Sequence, residues 1–180
     1  MNNRKNILAI CGSTKKSSTN LNLINAIANI SALYFNIKTF DGIDKLPHFN
    51  PDLDIDPAPE TVFNFRRLLK ESDGILICTP EYAMGVPGTL KNAIDWTVSS
   101  CEFSHKPVAL ITASSVGQKG HAALLETLKV IECKITDETQ LLISFSKTKI
   151  NDKGQITDPE TFENVNQLIE AFHQNINISH

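Results

Sequence analysis

The sequence lacks the features that mark several classes of protein. Its net charge is only −3 at pH 7, and so weak an imbalance argues against nucleic acid as a partner. No apolar run approaches the roughly 18 residues that a membrane-spanning helix needs. The first six residues lead into an apolar run that is too short and too strand-like for a signal peptide. We therefore expect neither a nucleic-acid-binding nor a membrane protein.

The cysteines do not form a recognisable framework. There are four of them, none in a CxxC pair, and Cys11 and Cys78 each end an apolar run. Such spacing argues against a metal site. Reduced and mostly buried thiols are the better interpretation, and they are typical of a cytoplasmic protein.

Strand-like and helix-like segments alternate along the chain. The 180 residues suit one domain, spanning residues 1–180, and 41% hydrophobic content is ordinary for a globular fold. Apolar runs predict strands at 6–11, 35–40, 74–78, 107–113 and 139–145, and helical spacing predicts helices at 18–33, 60–71, 88–98, 120–132 and 161–176. This alternation predicts an α/β, flavodoxin-like three-layer sandwich, with a five-stranded parallel sheet in the order 2-1-3-4-5.

The segment after the first predicted strand has the composition of a phosphate-binding loop. Residues 12–20 contain five hydroxyl side chains, two lysines and an asparagine just before a helix. A helix N-terminus and the Lys15 ammonium would both attract an anion. Neither GxxxxGK[ST] nor GxGxxG occurs there. The alternative is an ordinary helix cap, with Ser18 or Asn20 capping and both lysines in solvent.

Two further loops follow the third and fourth predicted strands. The first holds Glu81 and Tyr82 between Pro80 and a Gly-Val-Pro-Gly turn, and the second, residues 113–121, is small and polar. In the predicted order the switch point lies between strands one and three, where α/β sheets bind ligands. We therefore expect the three loops to face one ligand at the carboxyl edge of the sheet.

The motifs of these loops resemble those of the NAD(P)H-dependent FMN reductase family, which includes quinone, azo-dye and chromate reductases. The resemblance rests on Gly12-Ser13-x-Lys15-x-x-Ser18-x-Asn20 and on residues 80–96, which contain Pro-Glu-Tyr and Pro-Gly-x-Leu-Lys-Asn-Ala-Ile-Asp-Trp. It implies noncovalent FMN, with NADPH or NADH as co-substrate. The implied activity is hydride transfer through FMN to a small acceptor, such as free flavin, a quinone, an azo compound or a metal oxyanion.

The resemblance also implies which residues bind the cofactor. In the first loop, the phosphate would be bound by Ser13, Lys15, Ser18, Thr19 and Asn20. In the second loop, the isoalloxazine ring would be lined by Pro80, Glu81, Tyr82 and Ala83. In the third loop, the other edge of the ring would be closed by Ser114, Ser115 and Gly117. The family usually has arginine where this chain has Lys15. Because the flavin carries the chemistry, we assign no catalytic acid, base or nucleophile, and of the five histidines only His121 is expected near the site.

Two other interpretations fit the loops. One is a flavodoxin-like electron carrier with no substrate of its own, but such carriers are typically strongly acidic. The other is an α/β domain with a regulatory or structural role that binds no flavin.

The resemblance implies a homodimer or homotetramer with the FMN site near the interface. In the predicted helix 88–98, Leu90, Ile94 and Val98 share a buried face, and Trp96 lies off it. An exposed tryptophan is typical of an interface. We therefore expect this helix and residues 97–102 to contact a second copy, with burial of Trp96 under the 41–59 loop of its own chain as the alternative.

Overall fold

The computed structural model describes residues 4–178. Residues 1–3 and 179–180, at the two ends of the predicted domain, lie outside the described range. The strands are β1 (Lys5–Cys11), β2 (Phe35–Thr39), β3 (Gly74–Thr79), β4 (Val108–Ala113) and β5 (Gln140–Ile143). The helices are α1 (Thr19–Ile30), α2 (Glu60–Glu71), α3 (Gly88–Asp95), α4 (Gln118–Val130), α5 (Ser146–Lys149) and α6 (Pro159–Ile178).

The five strands form one parallel sheet in the order β2-β1-β3-β4-β5, which confirms the predicted fold class and strand order. Cys11 of β1 is in register with Cys78 of β3, and Thr79 of β3 with Thr112 of β4. The three central strands therefore end at nearly the same level. The loops that follow them start side by side at the carboxyl edge.

Alternate residues of the central strands enter two cores, one on each face of the sheet. On one face Ile7 and Ala9 lie in a cluster with apolar residues of α1 and α6. On the other face Leu8 and Ile10 pack with residues of α2, α3 and α4. This two-sided burial explains why the central strands are almost wholly apolar.

Several predicted elements end earlier than expected, and two of these differences change the path of the chain. The helix predicted at 88–98 stops at Asp95, where the Thr97 N–H bonds to the Ile94 carbonyl at 2.9 Å. The strand predicted at 139–145 ends at Ile143, and Phe145 then takes a left-handed backbone conformation with φ 54°. That conformation turns the chain into the single-turn helix α5.

The prediction that Trp96 lies outside the core is wrong. Its side chain is 0% exposed, whereas Val98, predicted to be buried, is 52% exposed. The Trp96 indole N–H donates to the Pro47 carbonyl at 2.7 Å, and the Phe49 ring packs edge-on against it at 5.1 Å between centroids. Because α3 ends before Trp96, the helical geometry assumed for it does not apply, and the loop of its own chain covers the ring.

Asn92 fixes the same loop from α3. Its side chain donates to the Pro47 carbonyl at 3.0 Å and accepts from the Phe49 N–H at 2.7 Å. Asn92 and Trp96, four residues apart in the 87–96 motif, thus both bind the backbone of residues 47–49. These two motif residues therefore serve the fold of the chain.

All four cysteines are free. Cys11 and Cys78 are buried as predicted, whereas Cys101 is exposed and Cys133 half-buried. Burial raises the pKa of the Cys78 thiol well above its usual value and that of Cys133 to about 12. Within residues 4–178 no helix is long and apolar enough to cross a membrane, and no cluster of three or more potential metal ligands occurs there.

Trp96→Phe should lower the free energy of unfolding by about 1–3 kcal/mol, because it removes the indole N–H donor and part of the ring volume. Pro47 keeps its bond from Asn92, so the loss should fall in the lower part of that range. Urea titration measures it. Val98→Ala, at an exposed position, serves as the control and should change stability by less than about 0.5 kcal/mol. Equal stability of Trp96→Phe and wild type would contradict this arrangement.

Candidate functional site

A cavity of about 460 Å³ opens at the carboxyl edge of the sheet. The loops after β1, β3 and β4 all contribute to its wall, as expected from the strand order. Of the twelve predicted cofactor-binding residues, all but Ala83 and Gly117 line it: Ser13, Lys15, Ser18, Thr19, Asn20, Pro80, Glu81, Tyr82, Ser114 and Ser115. Ser17, Ala113 and residues 145–148 complete the lining. The cavity is rich in hydroxyl groups and contains two lysines.

Ser18 and Asn20 hold the start of α1 in place. The Ser18 hydroxyl accepts the Asn20 N–H at 3.2 Å, as an N-cap does. The buried Asn20 side chain donates to the Ala113 carbonyl at 3.1 Å, at the end of β4. The helix-cap interpretation of this loop is therefore correct for Ser18, and it is compatible with binding because both side chains also line the cavity.

One hydrogen-bond acceptor of Asn20 is unsatisfied among the described residues. Its Oδ1 is buried and has no partner within residues 4–178. A buried acceptor without a donor is costly and rare in native proteins. Because the side chain lies on the cavity wall, a ligand or a water molecule with a donor group would satisfy it.

Glu81 joins the second loop to the third. Its carboxylate accepts the Gly120 N–H at 2.6 Å, and its own N–H donates to the Ser114 hydroxyl at 3.3 Å. Gly120 is the third residue of α4, so Glu81 caps that helix from another loop and lies near the positive end of its dipole. The bond explains why a carboxylate is found at a cavity that otherwise carries positive charge.

Gly120 is a glycine because the second loop approaches it closely. A Cβ there would lie 2.8 Å from the Gly85 carbonyl oxygen and 3.0 Å from Glu81 Cγ. Backbone atoms cannot move aside cheaply, so any side chain would push the loop away from α4. The contact between loops two and three depends on the absence of a side chain at this position.

The two predicted residues that do not line the cavity shape loops beside it. Ala83 and Met84 have φ of 50° and 63° in a tight turn closed by paired hydrogen bonds between Tyr82 and Gly85. Gly117 precedes α4 with φ 96°, and a Cβ there would lie 2.7 Å from Leu142 Cδ1. Both residues set the backbone path of the wall.

His121, the histidine expected near the site, does not line the cavity. Its ring nitrogens are 2.9 Å from the Thr112 hydroxyl and 3.1 Å from Gln140 Oε1. Burial lowers the pKa of His121, which favours the neutral imidazole, and the contact with Gln140 opposes that shift. The side chain therefore ties α4 to β4 and β5 and does not line the predicted site.

The sequence analysis missed the part of the wall that follows β5. Phe145, Ser146, Lys147 and Thr148 line the cavity, although residues from 147 onward had the composition of a polar connector. Their position in the sequence could have identified them, since the loop after β5 starts at the same edge of the parallel sheet as the loops after β1, β3 and β4. Because the strand was predicted to continue to residue 145, the first residues of this segment were assigned to the strand.

Comparison with known proteins gives consistent matches. The profile of the NADPH-dependent FMN reductase family matches residues 5–147. A 2-hydroxy-1,4-benzoquinone reductase of Burkholderia sp. is 29% identical over 173 residues, covering 92% of this chain and 93% of the relative. An NAD(P)H-dependent FMN reductase of Pseudomonas aeruginosa is 30% identical over 171 residues, covering 92% and 91%. The solved structure of the flavoenzyme NAD(P)H:(acceptor) oxidoreductase FerB of Paracoccus denitrificans superposes with a TM-score of 0.84 at 25% identity, covering 96% of this chain and 97% of that one.

Glu81→Ala should lower the free energy of unfolding by about 0.5–2 kcal/mol, the usual loss for a helix N-cap, because the Gly120 N–H loses its acceptor. Chemical denaturation measures the change. Glu81→Gln is the matched control, since its amide oxygen can still accept that hydrogen bond, and it should retain most of the stability. Equal losses in the two variants would show that the bond to Gly120 contributes nothing.

Proposed function

Because the chain belongs to the NADPH-dependent FMN reductase family, we propose that it transfers reducing equivalents from NAD(P)H, through FMN bound in the cavity, to a small acceptor. Family membership confirms the predicted enzyme class, oxidoreductase, and the cofactor pair, FMN with NAD(P)H. The observation that carries the proposal is the meeting of the three predicted loops on one cavity. The bound flavin would supply the redox chemistry, taking hydride from the nicotinamide and passing electrons on.

The residues of the cavity fit FMN. A terminal phosphate carries a charge of about −1.5 to −2 at pH 7, and the lining offers lysines, hydroxyls and the N-terminus of α1. Glu81, the only carboxylate of the described lining, is held by Gly120. The spare acceptor of Asn20 matches a ligand that carries hydroxyl groups.

Each loop then has one role toward the cofactor. We assign the phosphate to Ser13, Lys15, Ser18, Thr19 and Asn20. Pro80, Glu81 and Tyr82, with the turn at Ala83, would bind one side of the ring. Ser114 and Ser115, on a path set by Gly117, would bind the opposite edge.

The side chains around the cavity act in this scheme by binding and orientation. Glu81 already accepts the Gly120 N–H, and His121 is held between Thr112 and Gln140. In this scheme Glu81 therefore holds the start of α4, and His121, which does not line the cavity, ties α4 to the sheet. We therefore assign the chain no general acid or base.

A quinone is the acceptor class that we favour. The Burkholderia relative is named for reduction of a benzoquinone, and the cavity rim presents a flat side chain, Tyr82, that is 55% exposed. A planar acceptor could rest on such a ring. Free flavin, azo compounds and metal oxyanions are the other acceptors to compare.

We also propose a cytoplasmic homodimer or homotetramer built from single FMN-binding domains. Four free cysteines suit a reducing compartment. Ile55 and Phe63, 62% and 55% exposed, border a groove shared with Ser99, Ser100 and Glu102, and exposed apolar side chains of this kind favour an interface. Sedimentation of the wild type as a monomer at working concentration would refute the assembly.

The purified protein should carry FMN, because the first loop suits one terminal phosphate and the chain has no dinucleotide fingerprint for a pyrophosphate. Mass spectrometry of the released cofactor tests this, and recovery of FAD as the main species would contradict it. The holoprotein should oxidise NADPH or NADH in the presence of a quinone. Bound FMN without any NAD(P)H oxidation would instead favour an electron carrier.

Ser18→Ala should weaken FMN binding and also destabilise the cofactor-free protein by about 0.5–2 kcal/mol, because one hydroxyl both caps α1 and lines the cavity. Thermal unfolding and FMN titration measure the two effects. Ser17→Ala, which lines the cavity without capping the helix, is the matched control and should change apo stability by less than about 0.5 kcal/mol. Unchanged FMN affinity in Ser18→Ala would remove Ser18 from the site.

A further inference from the structure

Two lysines from different loops line the cavity without any anionic partner. Lys15 comes from the loop after β1, and Lys147 from the segment after β5. Neither ammonium forms an ion pair within residues 4–178, where the five ion pairs involve other side chains. Like charges on one wall repel each other, and a bound anion would relieve that repulsion.

Hydrogen bonds fix the backbone of the segment that carries Lys147. The Phe145 and Ser146 N–H groups bond to the carbonyls of Ser115 and Ser114 at 3.1 and 3.0 Å. The Thr148 hydroxyl donates to the Phe145 carbonyl at 2.8 Å, and the buried Ile150 ends the turn. The helix α5 is therefore built directly on the third loop, which itself lines the cavity.

The other side of this segment packs against α1. Asn22 donates its side-chain amide to the Asn151 carbonyl at 3.3 Å, and Gly154 lies against the Asn22 carbonyl, 3.3 Å from where its Cβ would be. The segment after β5 thus bridges the third loop and the first turn of α1. Lys147 lies on this segment and lines the same cavity as Lys15.

We propose that Lys147 is a second cofactor-binding lysine, and that it and Lys15 together neutralise the terminal phosphate of FMN. This inference rests on the proposed function. One lysine supplies a single positive charge against a phosphate of about −1.5 to −2 at pH 7, and the only lining carboxylate of the described residues is occupied by Gly120. Two ammonium groups balance the dianion, which a single lysine in the first loop cannot do.

The test compares affinities for FMN and for riboflavin, which lacks the phosphate. Lys147→Ala should weaken FMN binding to the cofactor-free protein about tenfold, the effect of losing one hydrogen bond to a charged group, and leave riboflavin binding unchanged. The loss should shrink at high ionic strength, and Lys147→Arg should restore affinity. Fluorescence titration measures all of these without turnover.

Matched controls come from the same two segments. Lys149, on α5, and Lys16, next to Lys15, carry the same charge but do not line the cavity, so their alanine variants should bind FMN like the wild type. The double variant Lys15→Ala, Lys147→Ala should lose more FMN affinity than either single variant. Lys147 is exposed, and thermal unfolding checks that each variant is folded.

The outcomes separate this inference from the function on which it rests. A wild type that binds neither FMN nor riboflavin overturns both. A wild type that prefers FMN, with the same preference in Lys147→Ala, overturns only the role of Lys147. The role of Lys147 is also overturned if Lys147→Ala keeps the preference for FMN but changes the ratio of KM for NADPH to KM for NADH. Lys147 would then contact a phosphate of the nicotinamide cofactor.

Discussion

Parallel pairing in register is the constraint on which the site depends. Cys11, Cys78 and the end of β4 lie at one level because β1, β3 and β4 are aligned residue for residue. A shift of any strand would separate the loops that share the cavity. Beyond the sheet, hydrogen bonds fix the distances between the loops. They join Asn20 to Ala113, Glu81 to Gly120 and Phe145 to Ser115.

Several side chains at this edge serve the fold and the cavity at once. Ser18 caps α1, Asn20 joins α1 to β4, and Glu81 caps α4, and all three line the cavity. Stability and cofactor binding are therefore linked, since a ligand that binds only the folded chain stabilises it by RT ln(1 + [L]/Kd). Substitutions here have to be measured on the cofactor-free protein to separate the two effects.

The sequence predicted the sheet order and most of the cavity wall because these follow from local patterns, namely apolar runs and the polar loops after them. The predictions from the sequence were wrong where a tertiary contact determines the position of a side chain or the end of an element. Trp96 is buried by Pro47 and Phe49, which lie almost fifty positions away and carry no periodic signal. The wall at 145–148 was missed because Phe145, an apolar residue, extends the strand pattern, whereas its left-handed backbone ends the strand.

A lysine rather than an arginine at position 15 of the first loop has a physical consequence for the rest of the wall. An arginine fork can donate two parallel hydrogen bonds to one phosphate, whereas a lysine ammonium is a point charge on a flexible stem. A site with a single exposed lysine would hold the phosphate loosely. A second ammonium from a segment anchored at Ser114 and Ser115 supplies direction by approaching from another side. Fixing the anion between two loops also links α1 to the segment after β5, so that bound cofactor would join the first and last parts of the cavity wall.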